Sequence, residues 1–365
     1  MKIGILTFPN MTSYGCTLQM YALYRAVEQA GADAEIVHYQ NPYMKAQRHT
    51  SAIQKRSGMA GKLRLMATKV LHARQIIGFR CFERRMVKYP TRVVGDKASL
   101  QAATTHYSGV ICGSDQVWNP NITGGDLSYF LDFCGPNTKR IAYAPSFGIS
   151  EFPVDFQNKI TPELKNFECL SVREADGARL VTSLTGQEVK TVLDPTFLIA
   201  AEDWAHIEKT HPLAKGKYVL YFSVRKSPEL LSFSRELAKK RNATLVVAEG
   251  NFLRILRNKD PKVKYALDLS PAEWLNLVHH ADCVVTNSFH GAAFAIHYQK
   301  DFYLDFSSKT NVRLEQLMNI CGLDHRVVGA ECAPWDEHID YEVVEARLTP
   351  ERMESLAYLK QSIWQ

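Results

Sequence analysis

The residues with the clearest chemical potential lie in the stretch CVVTNSFHGAAFAIHY, residues 283–298. A strand-like apolar run gives way there to an apolar helical pattern, so His290 falls in the first turn of a helix. The first turn of a helix presents unbonded N–H groups and the positive end of the helix dipole. We therefore expect His290, Ser288 and Gly291 to bind an anion such as a phosphate. The alternative is a histidine that serves only the structure.

A second polar stretch, GSDQVWNP at residues 113–120, also follows a buried apolar run. Asp115 has the chemistry of a general base or of a hydrogen-bond acceptor for a hydroxyl. Trp118 could stack on a sugar ring, with Gln116 and Asn119 as further contacts to the same ligand. The structural alternative is an aspartate that caps a turn beside a packed tryptophan.

Two more polar stretches follow strand-like runs. In AYAPSFG, residues 142–148, Tyr143 and Ser146 end a strand and are candidates for contact with the same ligand. In TFPNMTSYGCTLQ, residues 7–19, a helix begins close to Tyr14, a further candidate. This stretch has neither GxGxxG nor a Walker lysine, so it gives little support for nucleotide binding, and a plain helix cap is an equal explanation.

Arg173 lies at a predicted joint between a strand and a helix, in SVREADGARLV, residues 171–181. A guanidinium at such a joint can bind a carboxylate or a phosphate through two parallel hydrogen bonds. The structural alternative is an ion pair with Glu174 or Asp176.

The elements that must position these residues alternate between strand and helix. The strand-like runs include KIGILTF, AEIVHY, SGVIC, RIAYAPS, CLSVRE, TVLDPTFLI, YVLYFSV, TLVVAE, CVVT and DFYLDF, and helical patterns separate most of them. Such βα repeats predict parallel sheets covered by helices. We therefore predict an α/β fold of two doubly wound, Rossmann-like domains. The first spans residues 1–205, the second spans 206–345, and 346–365 form a helix that could pack back on the first domain.

Composition narrows the class of protein. The chain has 365 residues, 46% of them apolar and 22% charged, as in ordinary globular proteins. No apolar run is long enough to span a membrane, and the N-terminal sequence MKIGILTF has no signal-peptide pattern, so we expect a cytoplasmic protein. The eight cysteines show no CxxC pair and no zinc-type spacing, so we predict no metal site from them.

The positive charge of the chain is concentrated in residues 45–92. This stretch has thirteen Lys or Arg residues and one acid, Glu83, and it has helical apolar spacing. One interpretation is a helical hairpin with a solvated face, and the other is a surface for an anionic partner such as the inner face of a membrane. Because the chain has no nucleic-acid-binding motif, we do not expect nucleic acid as the partner.

Five motifs occur in a fixed order, GSDQVWNP, AYAPSFG, SVREADG, VLDPTFLI and NSFHGAAFAI, and together they resemble the polysaccharide pyruvyl transferase family. The opening SYGCTLQMYALYRAVEQAGADAEIVHY and the late NVRLEQLMNICGL are also similar to its pattern. The resemblance covers most of residues 1–325 and leaves out the basic insert and the C-terminal tail.

The resemblance implies both a fold and an activity. Members of the family resemble glycosyltransferases of the GT-B type, in which two Rossmann-like domains face a cleft. They transfer pyruvate from phosphoenolpyruvate to a sugar, often as a cyclic ketal across two hydroxyls. We therefore expect a phosphoenolpyruvate-dependent pyruvyl transferase acting on a glycan or lipid-linked sugar of a cell-surface polysaccharide or exopolysaccharide, with no further cofactor. A divalent metal ion is compatible with this reaction, but no residue cluster requires one.

The sequence departs from the family at one motif. Many members have Arg-Leu-His-Gly where this chain has SFHG at residues 288–291, although the Ser-Phe form also occurs in the family. The negative charge of the donor is then left to other residues. Arg173 matches a family arginine, and Arg225 and Arg313 are further candidates from this sequence alone. We predict His290 as phosphate ligand and acid, Arg173 as the donor clamp, and Asp115 as base on the acceptor hydroxyl.

Two other classes of function stay open at this point. A GT-B nucleotide-sugar glycosyltransferase would need contacts to a base and a ribose late in the second domain, where Glu315 is the nearest candidate. A non-catalytic glycan-binding module would bind sugar without responding to phosphoenolpyruvate. Polar residues at several strand ends, in place of one exposed face, favour an enzyme.

Overall fold

The computed structural model describes residues 1–9, 11–47, 72–89, 93–149, 152–208, 211–248, 260–306, 312–329 and 332–365. These residues form two compact units. Unit 1 contains Met1–Ala73, Phe79–Ile199 and Glu351–Gln365, and unit 2 contains Arg74–Gly78 and Ala200–Pro350.

Unit 1 is built on a six-stranded sheet in which each strand is parallel to its neighbours. Its order is β2-β1-β3-β4-β5-β6. The four residues of β3 are fully buried, and such uninterrupted apolar strands are typical of parallel sheets covered on both faces. The strands are β1 Lys2–Leu6, β2 Asp33–Ile36, β3 Gly109–Cys112, β4 Lys139–Ala142, β5 Cys169–Val172 and β6 Lys190–Thr191.

Unit 2 is built on a five-stranded parallel sheet of order β11-β10-β7-β8-β9. Its core includes alternate residues of the central strands, such as Val219, Tyr221 and Val285. The strands are β7 Tyr218–Phe222, β8 Thr244–Val247, β9 Val263–Tyr265, β10 Cys283–Thr286 and β11 Asp301–Leu304.

Twelve helices that begin and end within the described residues accompany the strands. They are α1 Tyr14–Gln29, α2 Ala73–Met86, α3 Lys97–Thr104, α4 Pro120–Thr123, α5 Val154–Leu164, α6 Ala175–Thr185, α7 Ala201–Ala205, α8 Pro228–Lys240, α9 Pro271–His279, α10 Phe289–His297, α11 Val312–Cys321 and α12 Tyr341–Trp364. Short 3-10 helices occur at Leu127–Phe130, Pro195–Leu198 and Asp324–Arg326. None of the helices in the described part of the chain is both long and apolar enough to cross a bilayer.

Each sheet has a point where the strand order reverses. In unit 1, β1 lies between β2 and β3, and in unit 2, β7 lies between β8 and β10. Consecutive βα connections leave such a pair of strands in opposite directions, which opens a crevice at their carboxyl ends. The chemistry of each unit is therefore expected after β1 and β3, and after β7 and β10.

The start of α1 follows from local sequence. Ser13 has extended backbone geometry and accepts a hydrogen bond from the Cys16 amide, so it is the N-cap of this helix. Ala30 is the C-cap, and Gly31 follows it with a φ of 92°, a conformation that glycine adopts without strain. The helix therefore begins at Tyr14 and ends at Gln29, two residues before Gly31.

The basic stretch 45–92 is described in part, because residues 48–71 and 90–92 lie outside the described ranges. Its described helix is α2, which exposes Arg80, Arg84 and Arg85. Glu83 points inward, where it accepts a hydrogen bond from the Tyr89 hydroxyl at 2.8 Å. The single acid of the stretch therefore contributes to the fold and does not offset the exposed cations.

The last turns of α12 belong to unit 1 and are bonded to its sheet and loops. The Ser355 hydroxyl accepts from the Leu193 amide at 2.9 Å, and the Tyr358 hydroxyl donates to the Ala142 carbonyl at 3.1 Å. The Trp364 indole donates to the Ala30 carbonyl at 2.9 Å. These bonds explain why a helix so late in the chain groups with the first unit.

Candidate functional site

The carboxyl ends of β7 and β10 are joined by one side chain, that of Asn287. Its Oδ1 accepts from the Val224 amide at 3.0 Å and from the Ser223 hydroxyl at 3.1 Å, and its Nδ2 donates to the Arg225 carbonyl at 2.8 Å. Asn287 follows β10, whereas residues 223–225 follow β7. The loop that leaves β7 is therefore held against the start of α10, where the order of the sheet reverses.

Two helices begin at this edge, and serine caps both. Ser227 caps α8 and also donates to the Asp305 carboxylate at 3.1 Å. Ser288 caps α10 by accepting from the Gly291 amide at 3.3 Å. The predicted donor ligand Ser288 thus has a structural task that its hydroxyl already performs.

His290 and Gly291 occupy the first turn of α10, as predicted. His290 is buried, with 8% of its surface exposed, and its ring lies edge-on to Phe289 at a centroid distance of 5.1 Å. Gly291 packs against β10, since a Cβ on this residue would lie 2.3 Å from Thr286 Oγ1. The need for glycine at 291 is explained by this close approach, independently of any ligand.

The cations of this edge lie on the loop and on a nearby helix of unit 2. Arg225 is exposed and is followed by the exposed Lys226, directly beside the backbone that Asn287 holds. Arg313 is half-buried in the first turn of α11. Arg225 is therefore the predicted donor ligand whose backbone this network holds.

In unit 1, Asp115 stands just past the carboxyl end of β3 in an unusual conformation. Its φ is 77°, in the left-handed region that a non-glycine residue enters at a cost of about 1–3 kcal/mol. Its carbonyl accepts from the Ser146 amide at 2.9 Å, and its Oδ1 accepts from the Gln116 amide at 2.8 Å. Strain that the surroundings hold in this way is typical of functional positions.

Cys16 contacts Asp115 across the point where the order of the unit 1 sheet reverses. Cys16 lies in the first turn of α1, and its thiol donates to Asp115 Oδ2 at 2.7 Å. Burial and the Asp115 carboxylate raise the pKa of Cys16 well above its ordinary value, so the thiol stays protonated. Cys16 is therefore a hydrogen-bond donor to Asp115 and not a thiolate nucleophile.

Arg173 lies behind Asp115 in a buried cluster of charges. The guanidinium bonds to Asp194 and approaches Glu174 at 3.4 Å and Asp115 at 4.0 Å. Burial opposes the charge, but Asp194, Glu174 and Asp115 together raise the pKa of Arg173. Only 3% of the side chain is exposed, and Arg173 pairs mainly with Asp194, with Glu174 of the predicted alternative as a further partner.

The predicted acceptor residues divide by exposure. Trp118 is fully buried, stacked on Phe130 at 5.0 Å, and its indole donates to the Tyr129 carbonyl at 2.8 Å. Tyr143 and Ser146 are also fully buried. A ring with no exposed face cannot stack on a sugar, so Trp118 in this structure is a core residue.

Of the other three predicted acceptor residues, Asn119 is buried and Gln116 and Tyr14 are partly exposed. Asn119 caps α4 and donates to Gln116 Oε1 at 2.8 Å, so these two side chains support one another. Gln116 and Tyr14 are half-exposed, and the Tyr14 ring packs against Phe79 at 5.2 Å. Gln116 and Tyr14 are thus the predicted acceptor residues that keep the most surface for a ligand.

A cavity of about 190 Å³ opens at the carboxyl ends of β1 and β2 in unit 1. Its walls include the aromatic rings of Phe8, Tyr39 and Tyr129 and the exposed side chains of Gln40 and Lys45. A concave cavity with a few hydrogen-bonding groups at its rim is a common form of small-molecule site. Sequence reasoning missed this cavity, because the residues that line it come from separate segments.

Other residues at these edges were also missed. Asn287 and Asp194 stood inside recognised motifs but had no assigned role, and Cys16 was considered only as one of eight cysteines without metal-type spacing. The signal for Asn287 was its place directly after a buried strand, the criterion already applied to Asp115. No local signal identified Cys16, whose role depends on a contact 99 residues away.

Comparison with known proteins supplies the family. The model of the family "Polysaccharide pyruvyl transferase" matches residues 14–304. The chain belongs to the polysaccharide pyruvyl transferase family. This match confirms the resemblance seen in the motifs, and it includes both candidate edges, from Cys16 to His290. A search of curated protein sequences finds no match.

Solved structures of two UDP-N-acetylglucosamine 2-epimerases share the fold. The enzyme from Methanocaldococcus jannaschii is 10% identical, with a TM-score of 0.52 over 96% of this chain and 93% of that one. The enzyme from Rickettsia bellii is also 10% identical, with a TM-score of 0.52 over 100% of this chain and 98% of that one. Together with the two parallel sheets, these similarities confirm the predicted GT-B-like α/β class for a pyruvyl transferase family member.

Proposed function

We propose that the protein transfers pyruvate from phosphoenolpyruvate to a sugar of a cell-surface polysaccharide precursor and forms a cyclic ketal across two hydroxyls. Family membership supports the reaction class. The observation that carries the choice of donor is the Asn287 network, which holds the loop of Arg225 against the start of the helix that contains His290.

Phosphoenolpyruvate suits this edge of unit 2 because it carries a carboxylate and a phosphate. An anion of this kind needs fixed positive charge and oriented N–H donors. The first turns of α8 and α10 supply N–H groups, and Arg225 and Lys226 supply charge beside them. His290 adds an imidazole in the same first turn as the cap Ser288.

The protons of the transfer reaction balance, and the reaction needs one acid and one base. A proton added to the methylene carbon of phosphoenolpyruvate leaves C2 electrophilic. The first sugar hydroxyl bonds to C2 and returns a proton, and the second displaces phosphate, which leaves with the second proton. We assign His290 to the phosphate and the acid role. We assign Asp115, whose carboxylate accepts from Cys16, to the acceptor hydroxyl.

The acceptor sugar is proposed to bind in unit 1. The cavity beside Phe8 and Tyr129 lies at the same edge of the sheet as Asp115, because Phe8 and Asp115 follow the paired strands β1 and β3. Gln40 and Lys45 at its rim are exposed and can bond to sugar hydroxyls. We therefore place the acceptor here and not on Trp118.

Calorimetric titration with phosphoenolpyruvate tests the donor assignment. We expect the wild type to bind and His290→Ala and Arg225→Ala to bind at least about tenfold more weakly, since a hydrogen bond to a charged group contributes about 1.5–3 kcal/mol. Arg235→Ala removes another exposed arginine, two turns into α8, and should bind as the wild type does.

The same titration separates the alternatives. Equal affinity in all four proteins would place the donor elsewhere. Heat with a UDP-sugar and none with phosphoenolpyruvate would favour the glycosyltransferase alternative.

The assignment of Asp115 as the base is tested by Asp115→Asn. This variant should retain phosphoenolpyruvate binding but lose transfer, measured as phosphate release with acceptor present. Wild-type turnover in Asp115→Asn would contradict the assignment.

A further inference from the structure

Three side chains of metal-ligating type meet in unit 2, away from the edge described above. Glu208 follows α7, His279 is the last residue of α9, and His280 is its C-cap. One ligand atom from each lies within 4.8 Å of the other two. Among the described residues this is the single such group of three.

The geometry of the group is close to that of a binding site. His279 Nδ1 lies 2.9 and 3.0 Å from the two carboxylate oxygens of Glu208. The His279 and His280 rings are nearly parallel, with centroids 4.9 Å apart. The Glu208 side chain is 10% exposed and that of His279 is 36% exposed, while His280 faces solvent. The cluster is therefore held from the inside and can be reached from the outside.

Tyr298 packs directly against the cluster. Its ring stacks on His279 at 4.4 Å, and the residue is 9% exposed. Its hydroxyl is buried near the Glu208 carboxylate and has no hydrogen bond of normal length in the described part of the chain. A water bound to an ion at this cluster would satisfy both groups.

The local charges are mixed. The carbonyl end of α9 favours a cation at His279 and His280. Lys300 lies near enough to His280 and Glu208 to oppose a cation. The cluster therefore presents one carboxylate and two imidazoles against one ammonium.

We propose that Glu208, His279 and His280 bind a divalent transition-metal ion, with zinc as the best match. Two imidazoles and one carboxylate, with water in the fourth position, are a common zinc ligand set. The ion would tie the segment after α7 to the turn between α9 and β10, so its effect is on the stability of unit 2.

The site lies at the opposite end of β10 from the proposed donor residues. His279 and His280 precede Cys283, whereas Ser288 and His290 follow Thr286. A strand of four residues spans about 13 Å. Metal binding and phosphoenolpyruvate binding are therefore expected to be independent. A result that contradicts one of these proposals does not contradict the other.

Titration of the tag-free, EDTA-treated protein with ZnCl₂ tests the proposal, with CoCl₂ absorbance as the probe of coordination. We expect one Zn²⁺ per chain and a melting temperature that rises with zinc concentration. Glu208→Gln keeps a hydrogen-bonding group beside His279 but loses the carboxylate, and His280→Ala removes an exposed ring. Each should weaken zinc binding at least tenfold.

A matched control comes from another histidine paired with a carboxylate. His338 Nδ1 lies 2.7 Å from Asp301 Oδ2 and the side chain is 79% exposed, so His338→Ala should bind zinc as the wild type does. Melting of all variants in EDTA checks that they fold. No zinc binding in the wild type, or unchanged affinity in either Glu208→Gln or His280→Ala, would reduce the cluster to an ion pair and overturn the proposal.

Discussion

Single residues at the unit 1 edge are arranged around one buried arginine. Asp194, Glu174 and Asp115 surround Arg173, so the cluster has more negative than positive groups. The Ser114 hydroxyl lies 3.4 Å from both Arg173 Nη1 and Asp194 Oδ2 and adds a neutral contact. Removing the arginine would leave Asp194, which is 2% exposed, buried without its main partner.

Arg173→Met is therefore expected to destabilise the protein by about 3–5 kcal/mol, the usual cost of removing one partner of a buried ion pair. Urea unfolding followed by tryptophan fluorescence measures the change. The matched control is Arg179→Ala, because Arg179 pairs with Asp176 at the surface with a side chain that is 75% exposed. Exposed pairs contribute about 0–1 kcal/mol, so the control should unfold close to the wild type. Similar losses in the two variants would show that Arg173 is not an essential partner.

Residue types alone could identify the polar strand ends but not which side chains face inward. Asp115 was found because it follows a buried strand, and its left-handed backbone agrees with a functional position. Trp118, only three residues later, was taken as a sugar platform for the same reason. Its burial depends on Tyr129 and Phe130, which come from a 3-10 helix that the local sequence does not connect to it.

At the scale of elements, the contact between α10 and β10 decides how the donor edge is built. The Thr286 side chain fills the space beside Gly291, and its hydroxyl accepts from the Ser288 amide at 3.0 Å. The end of the strand and the first turn of the helix are thus packed without a gap. Any side chain at 291 must move the helix start that contains His290.

Gly291→Ala should destabilise the protein by about 1–3 kcal/mol, as for other insertions into packed cores, and should also weaken phosphoenolpyruvate binding. The reason is that the new Cβ would lie 2.3 Å from Thr286 Oγ1 and 3.0 Å from its Cβ. Thermal unfolding and the donor titration measure the two effects. Gly135→Ala is the control, because a Cβ at Gly135 meets nothing within 4 Å. If Gly291→Ala matched this control in both measurements, the result would contradict the close packing described at the helix start.

The sequence predicted the type and order of most elements, and their ends less well. The helix predicted to have His290 in its first turn begins at Phe289, because Ser288 serves as its cap. TVLDPTFLI was expected as a strand, but β6 ends at Thr191 and a 3-10 helix follows at Pro195–Leu198. Asp194 accepts a hydrogen bond from the Thr196 amide at 3.0 Å and forms a long-range ion pair with Arg173. The segment that was expected as a strand is held by these contacts instead.

At the scale of the whole molecule, the alternation of strands and helices predicted the α/β class, which both the sheets and the structural comparisons confirm. Alternation does not say which strands are neighbours. The two sheets have different orders, and the reversal points that position Asp115 and Asn287 follow from those orders. The strand order therefore depends on pairing between strands that are distant in sequence, and a local pattern cannot predict that pairing.

Both units also bury cysteines, and this gives the molecule a predictable response to alkaline pH. Burial raises the pKa of Cys134 and Cys321 to about 12 and raises the pKa of Cys16, Cys112 and Cys283 from a reference of 9.0. Below pH 9 these thiols are protonated in both the folded and the unfolded chain. Above pH 9 the unfolded chain loses protons that the folded chain keeps, so the free energy of unfolding must fall as pH rises.

Each such thiol lowers the free energy of unfolding by about 1.4 kcal/mol per pH unit once the pH exceeds its pKa in the unfolded chain. We therefore expect the urea midpoint to be flat near pH 8 and to decrease steeply from pH 9 to 11. Cys321→Ala should reduce that slope by about one thiol's share, whatever its effect on absolute stability. Cys81 is exposed, so Cys81→Ala should leave the slope unchanged. A midpoint that stayed constant to pH 11, or an equal slope in Cys321→Ala and the wild type, would mean that these thiols ionise in the folded chain and that the core around them admits water.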